Sequence, residues 1–271
     1  MSIKNVKIYF VLGIAMIAMF TFCISKSYED YSTISASTGS ISNTKIGWGI
    51  KRADNNQQPD VGSQNKKLLD EYNGIYLGNQ DKRYIYLTFD EGYEAGYTSK
   101  ILDVLKENNV KATFFITGPY LNQETQLVKR MIDEGHIVGN HTVNHPSMPS
   151  VTDDEKLKVE VTALHKALYE KTGYEMQYIR PPMGEFSQRT LEICKNLGYT
   201  NVMWSFAYDD WDINKQKGTE YAKEKILKNV HNGEVMLLHA VSKDNCEVLD
   251  YCIKQIKEMG YEFKSLDEFE R

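Results

Sequence analysis

Two histidines stand four apart, His141 and His145, and an adjacent acid pair, Asp90 and Glu91, precedes Gly92. In a helical or turn conformation this histidine spacing sets two imidazoles on one side, able to share a metal ion. The spacing alone is a weak signal, and a carboxylate on a neighbouring strand strengthens it. Of two adjacent acids, one can ligate the metal while the other acts as a base. Two histidines and a carboxylate with one open position form the ligand set of a hydrolytic metal site. Arg180 opens the run Arg-Pro-Pro-Met-Gly. Its guanidinium can pair with Asp90 and hold it ionised and oriented, or serve a structural ion pair beside a rigid turn. His239 ends the apolar run Val-Met-Leu-Leu-His. Near a carboxylate such as Asp210 it can stay protonated and act as a general acid; without one it is a core histidine.

These residues are scattered along the chain, so the fold must gather them. Short apolar runs predict strands at residues 84–90, 111–117, 136–140, 177–180, 200–205, 234–239 and 261–265. Between them, helical spacing predicts helices at 99–109, 123–134, 152–171, 187–197, 219–231 and 245–259. Thr152 with Glu155 reads as a capping box, Ser187 as an N-cap and Gly135 as a C-cap. Strands alternating with helices imply right-handed crossovers and a parallel sheet. Seven such units can close into an irregular (β/α)7 barrel, with a doubly wound open sheet as the alternative. No G-x-G-x-x-G follows the first strand, which weakens a dinucleotide reading. Asp90, His141, Arg180, the Asp209-Asp210-Trp211 run and His239 all fall at or just after C-terminal strand ends, the edge where active sites of α/β folds assemble.

The chain has 271 residues, 25% of them charged, with 32 basic and 37 acidic side chains and a net charge of -5. No long run of one sign occurs, which disfavours nucleic-acid binding through phosphate neutralisation. Lys4 and Lys7 precede an uncharged run to Ser25, and Lys26 follows it. Residues 1–26 are therefore expected to be a signal anchor, since no small-x-small cleavage site follows. The flanking basic residues place the rest of the chain outside the cytoplasm, membrane-held, or secreted if the segment is cleaved. Thr21 and Phe22 are poor neighbours for lipoprotein processing at Cys23. Residues 27–74 read as a polar spacer and extension, with a possible ordered segment at Ile46–Ile50, and residues 75–271 as the catalytic domain. The cysteines, Cys23, Cys194, Cys246 and Cys252, form no C-x-x-C pair and read as free thiols.

The runs Thr88-Phe89-Asp90-Glu91-Gly92, His141 to His145, Arg180 to Gly184, Asp210-Trp211 and Leu237-Leu238-His239 resemble the five ordered motifs of the polysaccharide deacetylase family. The resemblance covers about residues 83–267 and is closest to the delta-lactam-forming branch, the N-acetylmuramic acid deacetylases of spore-cortex peptidoglycan. Trp48-Gly49-Ile50-Lys51, Gln58-Pro59, Thr88 to Thr98, Asn214, Gln216-Lys217-Gly218 and His239 to Asn245 point to that branch. Since this wider likeness starts near residue 46, it implies that the upstream segment packs on the domain.

The resemblance implies a distorted β/α barrel and a set of roles. Asp90 would be the general base, and Glu91, His141 and His145 the ligands of one divalent metal, Zn²⁺ ahead of other ions. Arg180 would orient Asp90, and Asp210 would tune His239, the general acid. Trp211 and Leu238 would line the pocket around sugar and acetyl methyl, and the Met183 backbone would supply an oxyanion donor. Glu91 stands where the family usually has Asp and the branch often Asn; Met183 stands where Tyr is common. The implied substrate is a peptidoglycan glycan strand, with a partner amidase removing the stem peptide beforehand. The alternatives are deacetylation of N-acetylglucosamine or another exported polysaccharide, and a non-catalytic wall-binding protein.

Overall fold

In the computed structural model, which describes residues 41–271, the buried apolar runs become strands of one curled parallel sheet. β2 (Tyr84–Glu91) is buried in all but its first residue, and β3 (Thr113–Ile116) and β4 (Ile137–Asn140) throughout. With β5 (Tyr178–Ile179), β7 (Thr200–Asn201) and β8 (Glu234–His239) they run in the order β7-β5-β4-β3-β2-β8. A seventh strand, β9 (Glu262–Phe263), pairs with the first residues of β2, on the edge length that β3 leaves free.

The seven expected strands are therefore present, but they form a curled half-barrel rather than a ring of seven in sequence order. After β7 the chain leaves regular pairing: Val202 bridges Ile75, and Phe206 bridges Met236 of β8. The Leu237 N–H donates to the Phe206 carbonyl at 2.8 Å, so the two sheet edges meet only through this irregular segment.

The helices α2 (Thr98–Glu107), α3 (Gly118–Gln123), α4 (Thr125–Asp133), α5 (Asp154–Thr172), α6 (Gln188–Asn196), α7 (Thr219–Lys228) and α8 (Lys243–Glu258) connect the strands. Their apolar stripes, such as Ile101, Leu105, Val128 and Leu164, bury against Phe89, Phe114 and Leu238. The inside of the curl holds a smaller cluster around Tyr86, Phe115, Ile137 and Val235. Asp153, not Thr152, caps α5, accepting from the Lys156 N–H at 3.1 Å. Ser187 caps α6 as expected, in a box with Thr190.

The polar-spacer reading does not hold for the described part of 27–74, whereas the ordered segment at Ile46–Ile50 and the packing of the extension on the domain do. From Ser42 the chain belongs to the same compact unit as the barrel. β1 (Ile46–Gly47) pairs antiparallel with β6 (Glu185–Phe186), and the Trp48 indole N–H donates to the Trp204 carbonyl at 2.8 Å. α1 (Ser63–Glu71) sends Leu69 into a cluster with Val61, Tyr72, Tyr76, Phe186 and Met203. Its apolar residues are sparse in sequence, but the aromatic rings among them carry large area to bury. The expected anchor at 1–26, and Cys23 with it, lies outside the described residues. Among the described residues no helix is long and apolar enough to cross a membrane.

Candidate active site

Strand alternation decides which side chains reach the inside of the curl. β2 and β8 run parallel with Thr88 opposite Leu237 and Asp90 opposite His239. Asp90, Leu237 and His239 line one cavity of about 760 Å³, together with His141, His145, Met183 and Trp211. The structure thus brings the sequence-predicted acid, imidazoles and arginine motif to one strand edge.

Arg180 is fully buried behind Asp90. Its Nη1 donates to Asp90 Oδ1 at 2.7 Å, and Nη2 to Thr88 Oγ1 at 2.9 Å and the Met203 carbonyl at 3.3 Å. Its Nε donates to the Val202 carbonyl at 3.1 Å, and its plane lies 4.3 Å from the Phe115 ring centroid. Burial alone would favour a neutral Asp90. The positive charge of Arg180, with His141 and His239 nearby, outweighs burial and holds Asp90 below the ordinary carboxylate range.

His141 follows β4. Its Nδ1 lies 2.8 Å from the Arg180 carbonyl, which can only accept, so Nδ1 carries the proton and Nε2 keeps its lone pair. That Nε2 is 3.5 Å from Asp90 Oδ2. Burial pulls the His141 pKa down to about 4, so the ring is neutral near pH 7. The next turn holds two left-handed residues, Thr142 at φ 64° and His145 at φ 55°. Asn140 Oδ1 accepts from the Thr142 N–H at 2.8 Å, and Thr142 Oγ1 accepts from the His145 N–H at 3.0 Å. This turn brings the His145 ring within 4.7 Å of His141, centroid to centroid. Burial also holds His145 below its ordinary value.

On the opposite wall, His239 Nδ1 lies 2.7 Å from Asp210 Oδ1. Asp210 Oδ2 accepts from the His239 N–H at 2.8 Å and from Asn245 Nδ2 at 2.6 Å. Tyr208 in turn bonds Asn245. Burial disfavours an imidazolium, but the Asp210 carboxylate outweighs it and raises the His239 pKa.

Two expected site residues fall elsewhere. Glu91 follows Asp90 on the strand and so takes the opposite face. It is fully buried, no side chain closes an aligned hydrogen bond to its carboxylate although the Thr98 hydroxyl lies nearby, and its charged neighbours are Glu94 and Asp90. Burial pushes its pKa well above the ordinary range, and it does not line the cavity with the histidines. Leu238 is likewise turned outward into the helix-covered core, and Leu237 takes its expected place in the cavity. Met183 and Trp211 stand where expected on the cavity wall, 55% and 58% exposed. The Met183 residue is left-handed, φ 58°, in a turn that borders the cavity.

The donor chemistry for a divalent ion is present in part. Two neutral imidazoles, one with its tautomer fixed by a backbone carbonyl, are the donors such an ion takes. Among the described residues no group of three His, Cys, Asp or Glu completes the set. Sequence reasoning also missed Arg52, Tyr93, Trp204, Tyr221 and Lys225, all on the cavity wall. Arg52 directly follows the Trp48-Gly49-Ile50-Lys51 run, which was its one signal; Lys225 had none.

The polysaccharide deacetylase family model matches residues 77–202. Over 234 residues the chain is 47% identical to the peptidoglycan-N-acetylmuramic acid deacetylase PdaA of Bacillus subtilis, covering 86% of this chain and 89% of that one. A solved structure of B. subtilis PdaA, described as a family 4 carbohydrate esterase, superposes with a TM-score of 0.82 at 46% identity, over 84% of this chain and 98% of that one. A peptidoglycan-N-acetylglucosamine deacetylase of Bacillus cereus is 34% identical over 202 residues, covering 73% and 72% of the two chains. With the site geometry, fold and sequence thus in agreement, the chain belongs to the polysaccharide deacetylase family.

Proposed function

We propose that this protein removes the acetyl group from N-acetylmuramic acid residues of peptide-stripped peptidoglycan, leading to muramic delta-lactam in spore cortex. The observation that carries the reading is one cavity holding an arginine-held Asp90, its pKa lowered, opposite an aspartate-held His239, its pKa raised, with His141 and His145 beside them. The 47% identity to a muramic acid deacetylase supports the choice of sugar.

Amide hydrolysis needs a base, a stabilised oxyanion and a protonated leaving amine. Asp90 accepts the proton of the attacking water, and Arg180 keeps that carboxylate charged and aimed. His141 and His145 would hold one divalent ion, Zn²⁺ first, which when bound supplies polarisation of the carbonyl and activation of water. The Met183 N–H, in the turn that borders the cavity, would take the developing oxyanion, a contribution of about 3 kcal/mol for one such donor. His239, bonded to Asp210 through Nδ1, passes its Nε2 proton to the departing amine. Trp211 and Leu237 wall the sugar and the acetyl methyl. The freed amine can then close on the lactyl carboxyl with loss of one water, after a partner amidase has released that carboxyl from the stem peptide. The anchor expected at 1–26 would keep the enzyme on the outer face of the cell membrane.

The purified protein is incubated with peptide-stripped glycan, and acetate and lactam are scored by mass spectrometry. No acetate, with or without added Zn²⁺, refutes the reading; acetate from N-acetylglucosamine residues instead moves the substrate to the other sugar. His141→Ala should abolish turnover, and unchanged activity would remove the metal assignment.

A further inference from the structure

The cavity wall carries two cations, Arg52 and Lys225, that have no acidic partner among the described residues. Arg52 comes from the extension before α1, and Lys225 from the last turns of α7; both line the cavity with Asp90 and His239. Arg52 Nη2 donates to the Ala207 carbonyl at 2.6 Å, and its guanidinium lies 5.9 Å from the Phe206 ring centroid. Lys225 Nζ lies 5.0 Å from the Tyr221 ring centroid. The other charges on the wall are matched: Asp90 by Arg180, His239 by Asp210, and Asp209 by Lys217 at 3.6 Å. Among the described residues, no carboxylate lies within ion-pair distance of Arg52 or Lys225. The cavity therefore presents two uncompensated positive charges on an aromatic-rich wall, an arrangement that draws in an anion.

We propose that Arg52 and Lys225 bind a carboxylate on the substrate sugar and thereby select which residue is deacetylated. This takes its ligand from the function proposed above. A muramic residue carries a lactyl ether on the ring carbon next to the acetamido group, so its free carboxylate enters the same cavity as the scissile amide. N-acetylglucosamine has no such group, and a residue still bearing its peptide has a neutral amide there. A guanidinium matches a carboxylate with two parallel hydrogen bonds, and the ammonium adds a second positive charge. Both positions lie outside residues 77–202, so the pair stands apart from the segment shared with the family model. It would add sugar choice to a common deacetylation centre.

Binding of a peptide-stripped muramyl glycan fragment and of its lactyl methyl ester is measured by calorimetry on the whole protein. The wild type should bind the acid about tenfold or more tightly than the ester, as expected for a charge-assisted contact. The preference should shrink in high salt. Arg52→Gln and Lys225→Gln should each reduce it, the double variant should abolish it, and Arg52→Lys should keep part of it. Lys225 Nζ donates no hydrogen bond within the described fold, so its variant reports charge even if Arg52→Gln disturbs the Ala207 contact. Equal binding of acid and ester by the wild type overturns the proposal, as does a double variant that keeps the preference. Acetate release is scored in parallel. Turnover without acid preference removes the carboxylate site alone, whereas acid preference without turnover removes the deacetylase reading and leaves the site standing.

Discussion

The Asp90–Arg180 pair makes the sharpest quantitative demand on this active site. Arg180→Met leaves Asp90 charged, buried and unpaired, and strips Val202 and Met203 of the donor their carbonyls accept from. Breaking a buried pair from one side costs about 3–5 kcal/mol. At roughly 2–4 °C per kcal/mol for a domain of this size, Arg180→Met should melt about 10 °C below wild type. Asp90→Leu leaves the guanidinium short of its anion and should cost about 3 kcal/mol by the same argument. With both changes, neither charge of this pair remains buried, and only the orphaned carbonyls, about 1–3 kcal/mol, persist. The double variant should therefore be more stable than the sum of the singles by roughly 3 kcal/mol or more. Urea unfolding of all four proteins measures this coupling. Additivity within about 0.5 kcal/mol would show that the two side chains do not act as a pair. A second readout separates positioning from bulk stability. Without the guanidinium the Asp90 pKa rises, so the acid limb of the kcat/KM profile in Arg180→Met should move to higher pH. A variant that merely loses folded protein would keep the limb in place.

Three further outcomes follow from the geometry. Glu91→Gln should keep turnover within about twofold, since the carboxyl takes the strand face away from the histidines; loss of bound metal by elemental analysis would restore it as a ligand. The folded chain holds a Glu91 proton that the unfolded chain releases above its ordinary value of 4.5, so this carboxyl costs stability as pH rises. Glu91→Gln should remove its share of that slope, so the melting temperature at pH 8 relative to pH 5 should rise compared with wild type. Leu238→Ala should destabilise by about 2–5 kcal/mol with little change in KM, while Leu237→Ala should raise KM; the reverse pattern in calorimetry and kinetics would invert the assigned faces. Asp210→Asn removes the charge that raises His239, so the alkaline limb of kcat/KM should shift to lower pH, and an unmoved limb would exclude His239 as the acid.

Much of the site was readable because strand ends were readable. The run Tyr84 to Asp90 is apolar enough to be a buried strand, and its last polar residue must then sit at the carboxyl edge. The same holds for His239 after Val-Met-Leu-Leu, and for His141 after β4. The two residues that fell elsewhere, Glu91 and Leu238, were misplaced by treating a motif as a patch instead of a strand. A strand has two faces, and Asp90 and His239 are registered opposite each other. Once those two are placed in the cavity, period two turns Phe89, Glu91 and Leu238 outward and brings Thr88 and Leu237 in. That step needs no coordinates, and it would also have nominated Thr88 as the partner of Arg180. The extension was harder for a different reason. Its ordering rests on contacts such as Trp48 with Trp204 and Ile46 with Phe186, more than a hundred residues away in sequence, and no local pattern encodes such a partner. Arg52 reaches the cavity only because that distant packing fixes the chain around it. A specificity device borne on such an extension is invisible to periodicity, and it surfaces when unpaired charge is sought around the cavity as a whole.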